Sequence, residues 1–293
     1  GNHDSAERLS FASRILRGTG LFLCGDLYHT LAPVILKDDD GEVAFAPLPY
    51  AEPGKVREAL STDVHTHEEA ERALSDFLLR QMGHAARKIA IAHEFVAGGS
   101  ASDSERPLSI GGTDLISADI FAPYNYTALG HLHGPQQAGG KENVRYSGSL
   151  LKYSFSEAAQ KKGVIVGEID GAGQVGTKFT SLAPRHEVRA IKGFFDDLIK
   201  GESEDFLMAE LLDEGPVIDA MARLRQKYPR MMTIQSHRRM NSGSGERSFD
   251  LMKKVDPLDM FRVFYKEFQD KEFTEEEENY MKELWENLRK EDD

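Results

Sequence analysis

The chain has 293 residues, 40% of them hydrophobic and 29% charged, enough for one large domain and a smaller one and unlike a disordered polymer. Its net charge of −13 argues against a free-standing protein that grips DNA by charge alone, although ten acids against four bases lie in residues 271–293 and five bases against two acids between Lys141 and Lys162. No apolar run reaches the ~18 residues needed to span a bilayer, no basic-then-apolar leader suggests secretion, and the single Cys24 leaves no disulfide framework or thiolate zinc site and suits a reducing cytoplasm.

Gly-Asn-His-Asp opens the chain, and Ser5 is placed to cap a helix carrying Leu9, Ala12, Ile15 and Leu16 and ended by Gly18 and Gly20. Leu21–Leu23 then reads as the start of a strand. Apolar runs at 31–36 and 43–46, joined by Lys-Asp-Asp-Asp-Gly-Glu, predict a β-hairpin with an Asp-Gly turn. That reading is preferred to a calcium loop, which needs spaced ligands and a terminal Glu. Residues 67–84 predict an amphipathic helix carrying Ala70, Leu74, Phe77, Leu78 and Met82. His65, His67 and His84 read as solvent-facing. Residues 88–92 predict a buried strand that delivers His93, and residues 94–113 a Gly/Ser-rich loop. Further strands are expected at 126–133, 143–155 and 163–169. Strands alternating with helices imply an α/β layered domain over 1–183.

Beyond it, Phe206–Leu212, Pro216–Tyr228 and Met231–Gln235 predict a small β-α-β module within 184–240. A Gly/Ser linker follows at 241–248. Two helices occupy 249–293, the first with Phe261, Phe264, Tyr265 and Phe268 on one stripe. The second opens with a capping box from Thr274 to Glu277 and carries Met281, Leu284, Trp285 and Leu288. Such paired stripes either fold back on the body or dock on a partner.

With cysteine excluded, a metal site must be built from His, Asp, Glu and Asn. In an extended segment residues two apart point the same way, so His131 and His133 are expected to present two imidazoles from one face with Leu132 turned to the core. That spacing suits two ions about 3.5–4 Å apart, one imidazole to each. Alone, a His-x-His pair is as often a surface coincidence. His93, past a buried strand, sits where α/β sheets place their sites; the plainer reading is a half-buried histidine bonded to backbone. Asn2 offers a neutral hard ligand, and His3 a group able to protonate a leaving oxygen or hold a phosphoryl oxygen, with Asp4 available to orient it. Asp4 or Ser5 could equally do no more than cap a helix.

Taken in order, Asn2-His3-Asp4, His93 and Gly130-His131-Leu132-His133 resemble the calcineurin-like metallophosphoesterases. The resemblance is specific to the SbcD-type DNA exonucleases. It extends through Gly134-Pro135-Gln136, Arg145-Tyr146-Ser147-Gly148-Ser149, Tyr153-Ser154-Phe155-Ser156-Glu157, Asp213-Glu214-Gly215-Pro216-Val217-Ile218 and Phe264-Tyr265. It implies a four-layer calcineurin-like β-sandwich flanked by helices, a small α+β cap domain at 184–240 and C-terminal helices. By the same resemblance, two Mn²⁺ ions (or Mg²⁺) bind an attacking water and the scissile phosphate. Asn2, His93 and His131 would hold one ion and His133 would join the other. His3 would be catalytic, supported by Asp4, and Tyr146 and Ser147 would contact substrate. Implied partners are double-stranded DNA, an SbcC-type ATPase held by residues 249–293, and a second copy met through the helix after Asp4, giving a homodimer within a heterotetramer at the nucleoid. The family's Asp-x-His and Gly-Asp motifs lie upstream of Asn-His-Asp, so residues before Gly1 are expected, and without them weak metal binding and negligible activity. Gly25-Asp26 stands in the wrong order to replace them. Leu150-Leu151, where the family has a proline, is expected to change a turn only. A small-molecule phosphoesterase and a non-catalytic ATPase- and DNA-binding scaffold are the alternatives.

Overall fold

The computed structural model describes residues 1–102, 105, 115–213 and 215–236, together with 261, 265, 274, 277, 278, 280 and 281. Two compact units emerge. One comprises Gly1–Ile191, Glu202–Met208 and Tyr228–Met232. The other comprises the described residues of Lys192–Gly201, Ala209–Lys227 and the chain from Thr233 onward. Among the described residues no helix is long and apolar enough to cross a membrane.

Ser5 caps the first helix as expected, its hydroxyl accepting from the Arg8 N–H at 3.4 Å. The helix is broken, however, into α1 (Ala6–Ser10) and α2 (Ser13–Arg17). Leu9, Phe11 and Ile15 therefore do not share a buried stripe and remain exposed. Leu21–Leu23 is irregular rather than a strand, because an apolar triplet forms no ladder without a neighbour to pair its backbone. The expected hairpin is present as β1 (Val34–Asp38) and β2 (Gly41–Leu48). Its turn residues are Asp39 and Asp40, and Gly41, at φ 111°, pairs with Asp38. Asp38 spends its carboxylate on the Arg87 guanidinium, at 2.5 and 2.8 Å.

Helix α3 (Pro53–Leu60) carries proline in its first turn, where a missing N–H is harmless. Helix α4 (His67–Gln81) opens with a capping box. Thr66 Oγ1 accepts from the Glu69 N–H at 3.2 Å, and the Glu69 carboxylate accepts from the Thr66 N–H at 3.1 Å. Ala70, Leu74 and Leu78 make its buried stripe. His67, expected in solvent, belongs to that stripe by its spacing; it is buried and stacks on Tyr50 with ring centroids 5.6 Å apart.

After α4 come β3 (Arg87–His93), the short pair β4 (Phe95–Val96) and β5 (Leu115–Ile116), then β6 (Tyr126–Gly130), β7 (Gln136–Ala138) and β8 (Lys141–Tyr146). The main sheet is ordered β1-β2-β3-β6-β8-β7. Its four inner strands are parallel and its two edges antiparallel. All four inner carboxyl ends therefore share one edge. In β3 Ala90 and Ala92 enter the core, while on the other side of the pleat Arg87 is buried and Ile91 is half exposed. The core gathers Ala44, Ala46 and Leu48 of β2, the α4 stripe, and Leu129, Val144 and Tyr146.

Strand β9 (Gly163–Ile169) falls where expected and pairs with β10 (Val175–Ser181), which the residue pattern does not reveal. The small module contains β11 (Val188–Gly193), α5 (Phe195–Leu198), β12 (Phe206–Leu211), α6 (Ala220–Arg225) and β13 (Met231–Ser236), in sheet order β11-β12-β13. The expected β-α-β is thus present with an extra strand. Its helix is shorter than 216–228 because Asp219 sits in the left-handed region at φ 52°. The fold is mixed α/β. The linker at 241–248, half of the loop at 94–113 and most of both closing helices lie outside the described residues. The Thr274 cap lies within them: its Oγ1 accepts from the Glu277 N–H at 3.3 Å, and Glu277 accepts from the Thr274 N–H at 2.8 Å.

Candidate metal centre

Strands β3 and β6 run parallel with His93 registered against Gly130. This brings residues 37 apart in sequence to one point on the sheet edge. Glycine at 130 makes room for the His93 ring: a β-carbon there would lie 2.8 Å from Nδ1. A β-carbon at Gly1 would lie 2.6 Å from the same ring. Between them, His93 Nε2 lies 3.0 Å from Asn2 Oδ1. Burial, reinforced by the positive N-terminal amine and by His131, depresses the His93 pKa to about 4. At neutral pH the ring is uncharged and keeps a lone pair, the form a metal requires.

The strand stops at Gly130, and His131 adopts φ 104°. The extended geometry expected for 131–133 is therefore absent. A non-glycine residue in this region carries strain of about 1–3 kcal/mol, which the surroundings must hold in place. Here the left-handed turn sets the His131 ring edge-on to His93, centroids 5.5 Å apart, and 5.8 Å from Phe95. Leu132 enters the core as expected. His133 turns to different neighbours, Tyr153 at 5.3 Å between centroids and the Glu157 carboxylate at 3.0 Å from Nδ1. The two imidazoles are thus divided between separate surroundings by a turn, not by strand alternation.

The remaining site residues fare differently. His3 is exposed. Asp4 pairs with the N-terminal amine at 2.8 Å, and that bond, with the amine's charge, holds its pKa below the usual carboxylate value. Asp4 forms no hydrogen bond to His3. Tyr146 cannot contact substrate as expected: it is fully buried, its hydroxyl donates to the Glu94 carbonyl at 2.7 Å and accepts from the Val96 N–H at 2.8 Å. It braces the backbone beneath His93 instead. Ser147 is half-buried just past β8. Asp26 serves its own turn, bonding the Tyr28 N–H at 2.9 Å and His29 at 2.6 Å.

Asn2, His93 and His131 combine an amide oxygen with two imidazoles, donors of the kind that divalent first-row metal ions accept. Among the described residues no three His, Cys, Asp or Glu side chains converge with metal-holding geometry. A cavity of about 550 Å³ opens beside Asn2 and Asp4, with Asp26, Tyr28, Glu52 and Glu58 in its wall. Sequence inspection singles out the histidines but not Glu157 and Lys162. Both are buried, and they form an ion pair at 2.6 Å behind His133. Glu157 ends one of the quoted motifs, yet nothing in its spacing marks it as buried.

Fold and site define a mixed α/β protein with a histidine cluster on the carboxyl edge of a parallel sheet. Residues 184–268 match the family of SbcD C-terminal domains, described as the type 5 capsule protein repressor C-terminal domain. That match covers under a third of the chain and includes the small three-stranded module.

Proposed function

We propose that this chain is the nuclease subunit of an SbcCD-type complex, hydrolysing phosphodiesters at double-stranded DNA ends and hairpins in repair and recombination. The observation that carries this reading is the meeting of Asn2, His93 and His131 at the carboxyl ends of β3 and β6. The match over residues 184–268 supports its SbcD side. In this reading Asn2, His93 and His131 hold one divalent ion, Mn²⁺ or Mg²⁺, and His133 joins a second. Such ions lower the pKa of a bound water and neutralise phosphate charge. His3, exposed beside Asn2, donates its proton to the leaving oxygen. The strained turn at His131 and the glycine at 130 keep the two ligand rings together before substrate arrives. The module at 184–240 meets DNA through phosphate contacts. Residues 249–293 bind the ATPase, and the exposed Leu9, Phe11 and Ile15 face a second copy.

The test is cleavage of a hairpin oligonucleotide by the native protein in Mn²⁺. Activity should be present and should fall by about 10²–10⁴ in His3→Ala, the usual size of a general-acid contribution. Full activity in His3→Ala would overturn the assignment of His3. Absence of any cleavage, with the ATPase still bound through residues 249–293, would establish the scaffold reading instead.

A further inference from the structure

Behind His133 lies a buried charged pair that the hydrolytic reading does not use. Glu157 is fully buried, and Lys162 is 5% exposed. Placing both charges inside is costly, and replacing such pairs by apolar residues is often neutral or stabilising. A pair kept only for stability has no need of an imidazole, yet this one is built around His133.

Each carboxylate oxygen has a separate task. Oε2 takes the Lys162 ammonium at 2.6 Å and the Tyr153 N–H at 3.3 Å. Oε1 takes Nδ1 of His133 at 3.0 Å. Lys162 in turn donates to Gln160 Oε1 at 2.7 Å, to the His133 carbonyl at 2.8 Å and to Ser149 Oγ at 2.9 Å. The rest of His133 is held as firmly. Its N–H donates to Glu105 at 2.7 Å, and its carbonyl also accepts from the Ser149 N–H at 3.1 Å. Gly148, at φ 79°, packs so closely beneath it that a β-carbon would lie 2.6 Å from that carbonyl. Tyr153 lies against the ring.

A carboxylate paired with an ammonium is an acceptor only, so the hydrogen between Glu157 and His133 belongs to Nδ1. That leaves Nε2 as the nitrogen with a lone pair. A ligating histidine whose other nitrogen donates to a carboxylate is fixed in tautomer and orientation and is a more basic ligand.

We infer that Glu157, itself fixed by Lys162, is a positioning residue that locks His133 as the Nδ1–H tautomer and presents Nε2 to a divalent cation. This rests on the reading of His133 as a metal ligand.

The tautomer of His133 is read from ¹⁵N-histidine NMR of the full chain at about pH 8, above the pKa of free imidazole, with assignment by His133→Gln. The unmodified chain should show the Nδ1–H form. Glu157→Met/Lys162→Met removes both charges at matched volume, which guards against a fold lost to one unpaired buried charge. It should lose the Nδ1–H form and bind MnCl₂, followed by water-proton relaxation, about 10–100-fold more weakly. Glu157→Gln/Lys162→Met, whose amide oxygen can still accept from Nδ1, should restore the tautomer. An Nε2–H tautomer in the unmodified chain, or unchanged Mn²⁺ affinity in the double methionine variant, overturns the inference. Absence of Mn²⁺ uptake by the native protein sinks the metal reading of the site, while the tautomer still decides the role of Glu157.

Discussion

Gly130→Ala places one methyl group against the ring of His93. Position 130 has an ordinary strand backbone, so no left-handed penalty applies, and loss of unfolded-state entropy alone would stabilise the variant by about 0.4–1 kcal/mol. The new β-carbon, however, would sit 2.8 Å from His93 Nδ1. The ring must swing away, which gives up the 3.0 Å contact with Asn2 and the edge-on contact with His131. Overpacking of this kind costs about 1–3 kcal/mol, and the lost hydrogen bond about 0.5–1.5 kcal/mol more. The net expectation is destabilisation of about 1–4 kcal/mol, combining these ranges with the entropic gain. Urea unfolding of both proteins measures it through the shift in midpoint. Gly176→Ala in β10 is the internal control, because a β-carbon there meets nothing within 4 Å. It should be neutral or mildly stabilising. If Gly130→Ala proves as stable as Gly176→Ala, and the His93 ring resonances are unmoved, the packing account of position 130 is wrong.

Two buried titratable groups should pull stability in opposite directions with pH. The pKa of His93 falls to about 4 in the fold, so the unfolded chain binds the extra proton between the two values. Its contribution is present above about pH 6.5 and is lost as pH falls toward 4; His93→Gln should flatten that part of the pH–stability curve. Glu71 is buried on α4, its Oε1 has no hydrogen-bond partner among the described residues, and burial raises its pKa to about 8. Here the folded state holds the proton, so stability declines as pH rises from about 4.5 to 8. Glu71→Met should gain most over the parent at pH 8 and least at pH 4, a trend that thermal melts across that range would show or deny. Thr66→Ala removes the exposed cap of α4 and should cost about 1 kcal/mol in urea; a cost near zero would mean that packing alone holds the helix start.

Elements governed by local chemistry were legible in the residue pattern. The capping box at Thr274, the Asp-rich hairpin turn, the apolar strand before His93 and the strand at 163–169 each depend on neighbours a few positions away. Strands β10 and β11 escaped notice because their exposed faces carry no clean period of two. The opening helix was read as continuous because its apolar spacing is right, but Leu9 and Ile15 of that stripe are left exposed by the described residues.

By itself, then, the sequence determined which residues could do chemistry: Asn2, His3, His93, His131 and His133, with cysteine excluded and the strand leading to His93 marked by its own hydrophobicity. Tertiary structure decided how they meet. The parallel register of β3 and β6 puts His93 beside Gly130. The left-handed turn at His131 divides two imidazoles that simple alternation would have kept on one face. Burial turned Tyr146 from an expected substrate contact into a strut and drew Glu157 and Lys162 together behind His133. Such outcomes depend on which groups lose water together and what remains to satisfy them, and that is a property of the packed chain rather than of residue spacing.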